Sequence, residues 1–466
     1  MKERYNEGIG MNNKVNKRAV LLIAALSPFA MTFMFSSINI ALPSIGNEFQ
    51  MNAILLGWVA TAYLLASATF LLPFGRLADI RGRKRILIYG ISIFTVSSLL
   101  LAFSPSAIAL ISLRAVQGIG GAMIGVTSIA ILTSAFPVGE RGKALGISVA
   151  ATYLGLSLGP VLGGLLTYHF GWRSIFFVAV PLGLIIVALV FRKVKGEWAE
   201  ARGEKFDLRG SIIYGFAFIG VIYGFSLLPA MSGVWLMIAG ALGIFAFIKW
   251  ETKVRSPLLD INLFKNNRVF AFSNLAALIN YSATFAVTFL LSLYLQYVKG
   301  FNPQNAGLVL VSMPAVQAIF SPLAGRLSDR IEPRTLASAG MALTTAGLSL
   351  FIFLNEGTTL QFIIASLAIL GFGFALFSSP NTNAIMSSVK QRVYGVASAT
   401  LATMRQVGMT FSMGITMLLF AIYIGRVEIT PEYYPLFLDS TKVAFIIFAA
   451  LCFGGIFASL ARGKTR

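Results

Sequence analysis

The feature that leaves this chain the fewest folds is a succession of fourteen apolar runs parted by short polar segments. Each run is close to the roughly 20 residues a helix needs to cross a bilayer. They fall at 19–43, 54–74, 86–103, 107–135, 142–167, 173–191, 210–228, 232–249, 269–296, 304–324, 335–354, 359–385, 393–424 and 441–461. Hydrocarbon offers backbone groups no water, so runs of this length close their own hydrogen bonds as helices. Only 12% of the 466 residues are charged, where a soluble chain carries roughly 25%. The expectation is an all-α integral membrane protein with 14 transmembrane helices.

Basic residues orient those helices. With the amino terminus in the cytoplasm, 31 of the 37 Lys and Arg fall in cytoplasmic segments. Four lie outside, Arg173, Lys299, Arg426 and Lys442, and two, Arg114 and Arg405, lie within runs. Cytoplasmic loops of membrane proteins collect such residues, so both termini are expected inside a plasma membrane crossed many times. The net charge of +20 then reads as attraction to anionic lipid head groups. A nucleic-acid partner would call for a basic polar face or an aromatic–basic platform, and the sequence has neither.

Chemistry-bearing residues are few. One cysteine, Cys452, excludes an internal disulfide and a Cys-based metal site, and the one histidine, His169, sits near the end of a run, where a polar interfacial part is expected. No Gly-x-x-x-x-Gly-Lys-Ser/Thr stretch is present to cradle phosphates. Without an intramembrane acid pair, a Cys nucleophile or a multi-His cluster, no enzyme, metal or cofactor is expected.

One polar turn recurs. Gly75-Arg76-Leu77-Ala78-Asp79-Ile80-Arg81-Gly82-Arg83-Lys84-Arg85 follows the second run, and Gly325-Arg326-Leu327-Ser328-Asp329-Arg330-Ile331-Glu332-Pro333-Arg334 follows the tenth. That spacing is too long for a solenoid repeat and points to two halves of one architecture. The plan is a tail at 1–18, a six-helix bundle at 19–191, a central segment at 192–268 with two extra helices, a second six-helix bundle at 269–461 and a tail at 462–466. Parallel halves of this kind place a ligand site between them near the membrane midplane. Within the turn, Gly75 and Gly325 are expected to let neighbouring helices approach, while Asp79, Arg83 and Asp329 form an electrostatic latch.

This turn resembles the signature loop of the major facilitator superfamily. Ile38-Asn39-Ile40-Ala41-Leu42-Pro43, Trp58-Val59-Ala60-Thr61-Ala62-Tyr63-Leu64-Leu65, Gly171-Trp172-Arg173 and Pro257-Leu258-Leu259-Asp260 are similar to stretches of its fourteen-span drug–proton antiporter branch. The resemblance implies a major facilitator fold and a monomeric secondary transporter that exports small lipophilic or amphiphilic molecules by alternating access. Proton influx is the implied drive.

Several residues carry that expectation. An arginine in hydrocarbon is costly, so Arg114 is expected to face a wet cavity or a partner. Its stretch, which includes Gln117, resembles the fourth-span motif linked to proton transfer, while a purely structural Arg114 bonded to backbone carbonyls is the competing expectation. Gly155, Gly159 and Gly163 fall four apart beside Pro160 and Gly164, a smooth stripe for close helix packing that resembles the exporters' fifth-span motif. Asn39, Tyr63, Asn280, Gln317, Asn381, Arg405 and Gln406 complete the candidate intramembrane polar set.

The chain departs from the family where an acid is usual, seven residues before Ala41, for Met34 stands there. All seventeen acids fall in loops, tails or run ends. A coupling group must change charge in the working pH range, which arginine does not do. Coupling through Asp79 or His169 at a span end, or a different coupling, is therefore expected. Two buried arginines without buried acids also favour an anionic or zwitterionic solute as the alternative cargo. A transporter-like sensor or lipid-handling protein is the remaining alternative.

Overall fold

The computed structural model describes residues 16–194, 196–254, 256–328, 330–390 and 394–463. Fourteen helices long and apolar enough to cross a membrane run through these residues. They are α1 (Lys17–Phe49), α2 (Ala53–Arg81), α3 (Arg83–Ala102), α4 (Ala107–Ala135), α5 (Ala144–Phe170), α6 (Arg173–Lys193) and α7 (Leu208–Leu227). The others are α8 (Met231–Glu251), α9 (Arg268–Val298), α10 (Pro303–Ser328), α11 (Pro333–Phe353), α12 (Leu360–Ser387), α13 (Gly395–Tyr423) and α14 (Pro431–Ala461). With an even number of spans, α1 begins and α14 ends on one side of the bundle, called the terminal end below; the opposite side is the far end.

Helix starts are written into the sequence. Asn16, Asn52, Ser106, Asp207, Asn267 and Asn302 stand before α1, α2, α4, α7, α9 and α10, and each side chain accepts an amide of the first turn. Each such cap stabilises its helix by about 1 kcal/mol. Bulky apolar side chains such as Phe216, Trp235 and Phe457 stay exposed on the outer face, where lipid rather than water is their solvent.

Two six-helix halves repeat one another. Within the first, α1 packs on α5 and α6, α2 on α4, and α3 on α4 and α6; within the second, α9 packs on α13 and α14, α10 on α12, and α11 on α12 and α14. Adding eight to each helix number converts one set into the other. Between the halves the same rule holds, for α2 meets α13 and α10 meets α5, with α1 against α9. The α7–α8 hairpin breaks this symmetry, since α7 lies against α2 and α13 alone of the two equivalent seams.

The seams are tightest toward the far end. A side-chain carbon on Gly307 would stand 2.1 Å from the Pro160 carbonyl oxygen, and one on Gly164 would stand 2.4 Å from that of Pro303, so α5 and α10 touch backbone to backbone. Ser292 Oγ on α9 donates to the Asn39 carbonyl on α1 at 2.6 Å, and Gln296 Nε2 donates to the Ile40 carbonyl at 3.0 Å. The Ala53 amide donates to the Val427 carbonyl at 3.1 Å. Exposed apolar side chains run along both helices, among them Val149, Leu154, Leu158, Leu162 and Tyr168 on α5 and Leu308, Ile319, Leu323 and Leu327 on α10.

Candidate functional site

The glycine stripe of α5 packs on α1. Carbons added at Gly155, Gly159 and Gly163 would stand 2.2 Å from Thr32 Oγ1, 2.5 Å from Ser36 Cβ and 2.7 Å from Ser37 Cα. At that separation hydroxyls reach the opposing backbone. Thr32 donates to the Thr152 carbonyl, Ser36 to Leu156 and Ser37 to Gly159, at 3.0–3.1 Å. Pro160 and Gly164 turn the other way, onto α10. One helix therefore links a fixed partner in its own half to a partner across the seam.

Arg114 is 1% exposed and is held inside the first half. Its Nε donates to the Val59 carbonyl of α2 at 3.0 Å, and Nη1 bonds Gln117 Oε1. The guanidinium lies 4.6 Å from the centre of the Tyr63 ring, while Gln117 Nε2 donates to Ser98 Oγ on α3 at 2.7 Å. Neutral acceptors and a ring face thus replace the absent acid. Tyr63 in turn meets Phe35, and the Phe35 ring lies tilted by 40° and 4.9 Å from that of Phe285, the residue at which α9 is interrupted. This network ties the buried cation to the other half through aromatic rings.

The second half places Arg405 differently. It is half-buried on α13, about 15 Å along the helix by its rise per residue, and its Nη2 donates to Thr382 Oγ1 on α12 at 2.8 Å. Its guanidinium lies 5.6 Å from the Tyr281 ring on α9, and its buried Nε has no hydrogen-bond partner among the described residues. Gln406 is half-buried beside it, and Gln317 is buried on α10. Asn280 is wholly buried inside the half near Cys452. Asn381, expected along the cavity, turns instead to the terminal end, where it donates to the Ser273 carbonyl at 3.1 Å and accepts from Arg462 Nη1 at 3.0 Å. Arg462 is 0% exposed. Its guanidinium, drawn down to about 10 by burial and by Arg334 against the pull of Glu332, stays charged at neutral pH and also donates to Ser459 and Ser273. Asn39 is buried at the α1–α9 seam, and His169 is exposed at the far end of α5.

The polar turn after α2 is built together with the central segment. Arg83, 6% exposed, grips Asp79 Oδ1 at 2.8 and 2.9 Å, but it also donates to Glu200 Oε1 and Ser134 Oγ, both at 2.7 Å. Glu197 accepts the Lys84 amide at 2.7 Å and that of Arg85 at 3.2 Å, satisfying open donors at the start of α3. Arg76 pairs with Glu204. Ser256 and Arg76 hold the Glu204 carboxyl below its ordinary range, so this contact persists until pH falls into the carboxylate region. Backbone bonds complete the strap, from Arg83 N to Trp198 O at 2.9 Å and from Ala201 N to Asp79 O at 3.0 Å. Glycine is not what the start of the turn requires, since a carbon on Gly75 would meet Val126 at an ordinary 3.7 Å and one on Gly325 would meet only the Ser379 hydroxyl, at 2.9 Å. Asp329, the second-half counterpart of Asp79, lies outside the described residues.

Because Glu200 and Ser134 share Arg83, Asp79→Asn alone is expected to lower unfolding stability by less than about 1 kcal/mol. Asp79→Asn combined with Glu200→Gln leaves the guanidinium buried without an anion. The loss should then reach about 1–2 kcal/mol, discounted because both carboxylates are partly exposed. Thermal unfolding in detergent checks the difference; equal melting shifts for the single and double variants would refute shared anchoring.

Comparison with known proteins adds an independent line. The family model described as Major Facilitator Superfamily matches residues 24–413 and 273–465. The riboflavin transporter RibZ of Clostridioides difficile is 30% identical over 94% of this chain and 96% of its own length. The multidrug resistance protein Stp of Mycobacterium tuberculosis is 32% identical over 81% of this chain and 71% of its own. Among solved structures, the human organic anion transporter MFSD10 superposes with a TM-score of 0.64 at 14% identity, covering 95% of this chain and 99% of that one. The nucleoside transporter NupG gives 0.63 at 12% identity, over 96% and 100%.

Proposed function

The chain belongs to the Major Facilitator Superfamily, in its fourteen-span drug–proton antiporter branch, and from that premise we propose that it exports a small amphiphilic molecule across the plasma membrane. Basic loops orient the terminal end toward the cytoplasm. The backbone-to-backbone contact of α5 and α10 at the far end supports a carrier closed on that side and opening to the cytoplasm. Rocking the two halves about their seams exchanges which end is closed. Family relatives named for drug resistance and for export, including a tetracenomycin C resistance and export protein and a cephamycin export protein, support the outward direction.

The observation that carries the substrate reading is Arg405 with an unpaired buried Nε over the ring of Tyr281. A cation with a free donor beside an aromatic face suits a flat solute bearing an anionic or strongly accepting edge. Riboflavin, which one relative's name gives as its cargo, has that form. A permanent organic cation would meet repulsion there. The test is purified protein in liposomes with riboflavin, an anionic dye and a permanent organic cation, each with and without an imposed pH gradient. Arg405→Gln should cut flux of the accepting or anionic solutes on the order of tenfold and spare the cation. Robust cation export unaffected by Arg405→Gln would overturn the substrate reading. Indifference to the gradient would remove proton coupling, and no flux of any solute through folded protein would favour a sensor.

A further inference from the structure

The interiors of the spans hold no carboxylate, yet two acids meet at the terminal end of the α7–α8 hairpin. Glu251, the last residue of α8, is 3% exposed. Its Oε2 accepts the Leu259 amide at 2.9 Å, while its buried Oε1 has no hydrogen-bond partner among the described residues. Asp207, 9% exposed, caps α7. Its Oδ1 accepts the Gly210 amide at 2.9 Å and its Oδ2 accepts Trp250 Nε1 at 2.8 Å. A side-chain carbon on Gly210 would stand 2.4 Å from Asp207 Oδ2 and 2.9 Å from Glu251 Oε1. Both oxygens therefore bound one small space, and the unpartnered Oε1 faces into it.

The described residues place no counter-charge on the pair. Leu72 of α2, Tyr214 of α7, Phe247 of α8 and Leu258 of the following loop form the adjoining apolar cluster. Among the described residues no Lys or Arg pairs with either acid. Arg76 is taken by Glu204, Lys249 lies over Phe245, and Lys205, Arg209 and Lys253 are exposed. Among the described residues, Asp207 is thus the charged group that faces Glu251. Two carboxylates in a dry space cannot both ionise, and the arrangement that satisfies the orphaned oxygen is a proton held between them.

We infer that Asp207 and Glu251 form a proton-binding pair, with one proton held in the space between Asp207 Oδ2 and Glu251 Oε1. Losing that proton to water at the terminal end leaves two negative charges side by side, and only separation of the hairpin from the 256–261 loop or from α2 relieves them. The same hairpin holds α2 through Tyr214, whose hydroxyl donates to the Ala68 carbonyl at 2.9 Å, two turns ahead of the Gly75–Arg85 turn. Protonation of the pair therefore sets how firmly the hairpin grips the helix that carries the latch. Its use in driving export rests on the transporter reading above, whereas the proton site does not.

The test reads the proton directly. Infrared difference spectra of purified protein, titrated between acid and alkaline pH, should show a protonated-carboxyl stretch that survives above the ordinary carboxylate range. Glu251→Gln should abolish that high-pH band, and Asp207→Asn should shift its midpoint, giving a second reading should one variant fold poorly. A wild-type spectrum without the band, or an unchanged band in Glu251→Gln, overturns the pair. So does a band that responds to added sodium at fixed pH, which would assign the space to a metal cation. None of these outcomes depends on flux, so failure here is separate from failure of the transport assay.

Discussion

Gly307→Val is expected to abolish transport, lowering flux at least tenfold while the protein still folds. The Pro160 carbonyl oxygen stands only 2.1 Å from where the first side-chain carbon would be, and a main-chain oxygen in mid-helix cannot turn aside. The added bulk must drive α5 and α10 apart at the far end, unmaking the seal without touching the packing inside either half. A cysteine placed at the buried Ser292, in a Cys452→Ser background, reports the opening. It should react with a membrane-impermeant maleimide on the order of tenfold faster once valine is present. Unchanged labelling and unchanged flux together would show that this contact is no part of the seal.

Arg114→Ala should destabilise the protein by about 3–5 kcal/mol, through a cavity among α2, α3 and α4 and through Gln117 Oε1 left without a donor. Arg114→Met should recover most of the packing loss but none of the hydrogen bonds, so its melting temperature should lie between alanine and wild type. Equal melting of all three would mean that Arg114 is solvated after all. The arginine is bonded to neutral partners, so its replacement should not move the pH dependence of flux. A shifted pH profile would instead assign it to proton transfer.

Much of this organisation is legible in the sequence because membrane physics is local. Apolar run length fixes the fourteen helices, and the recurring turn fixes the two halves. The Gly155–Gly159–Gly163 stripe announces a close helix partner, although its identity as α1 does not follow from the stripe. Thr32 and Ser36, also four apart, were the available signal, since small hydroxyl residues at that spacing fit opposite a glycine row. What the sequence does not reveal is long-range pairing among polar groups. Glu197, Glu200 and Glu204 read as charges in a connecting segment, and nothing local tells that they brace Arg83, the start of α3 and Arg76. Asn381 reads as a cavity residue until Arg462, from the last turn of the chain, folds back to claim it. Asp207 and Glu251 lie 44 residues apart, each looking like a loop acid, and become a pair only when α7 and α8 close as a hairpin.

The hairpin's one-sided seat gives the molecule a front and a back. Where α2 meets α13, α7 stands as a wall between the seam and the lipid; where α5 meets α10, no described helix does so. A solute already dissolved in the bilayer leaflet at the terminal end thus finds one flank shuttered and the other bare. For the amphiphilic cargo proposed above, the expected lateral route is therefore between α5 and α10, past Leu154, Leu158 and Ile319, rather than along the α2–α13 seam.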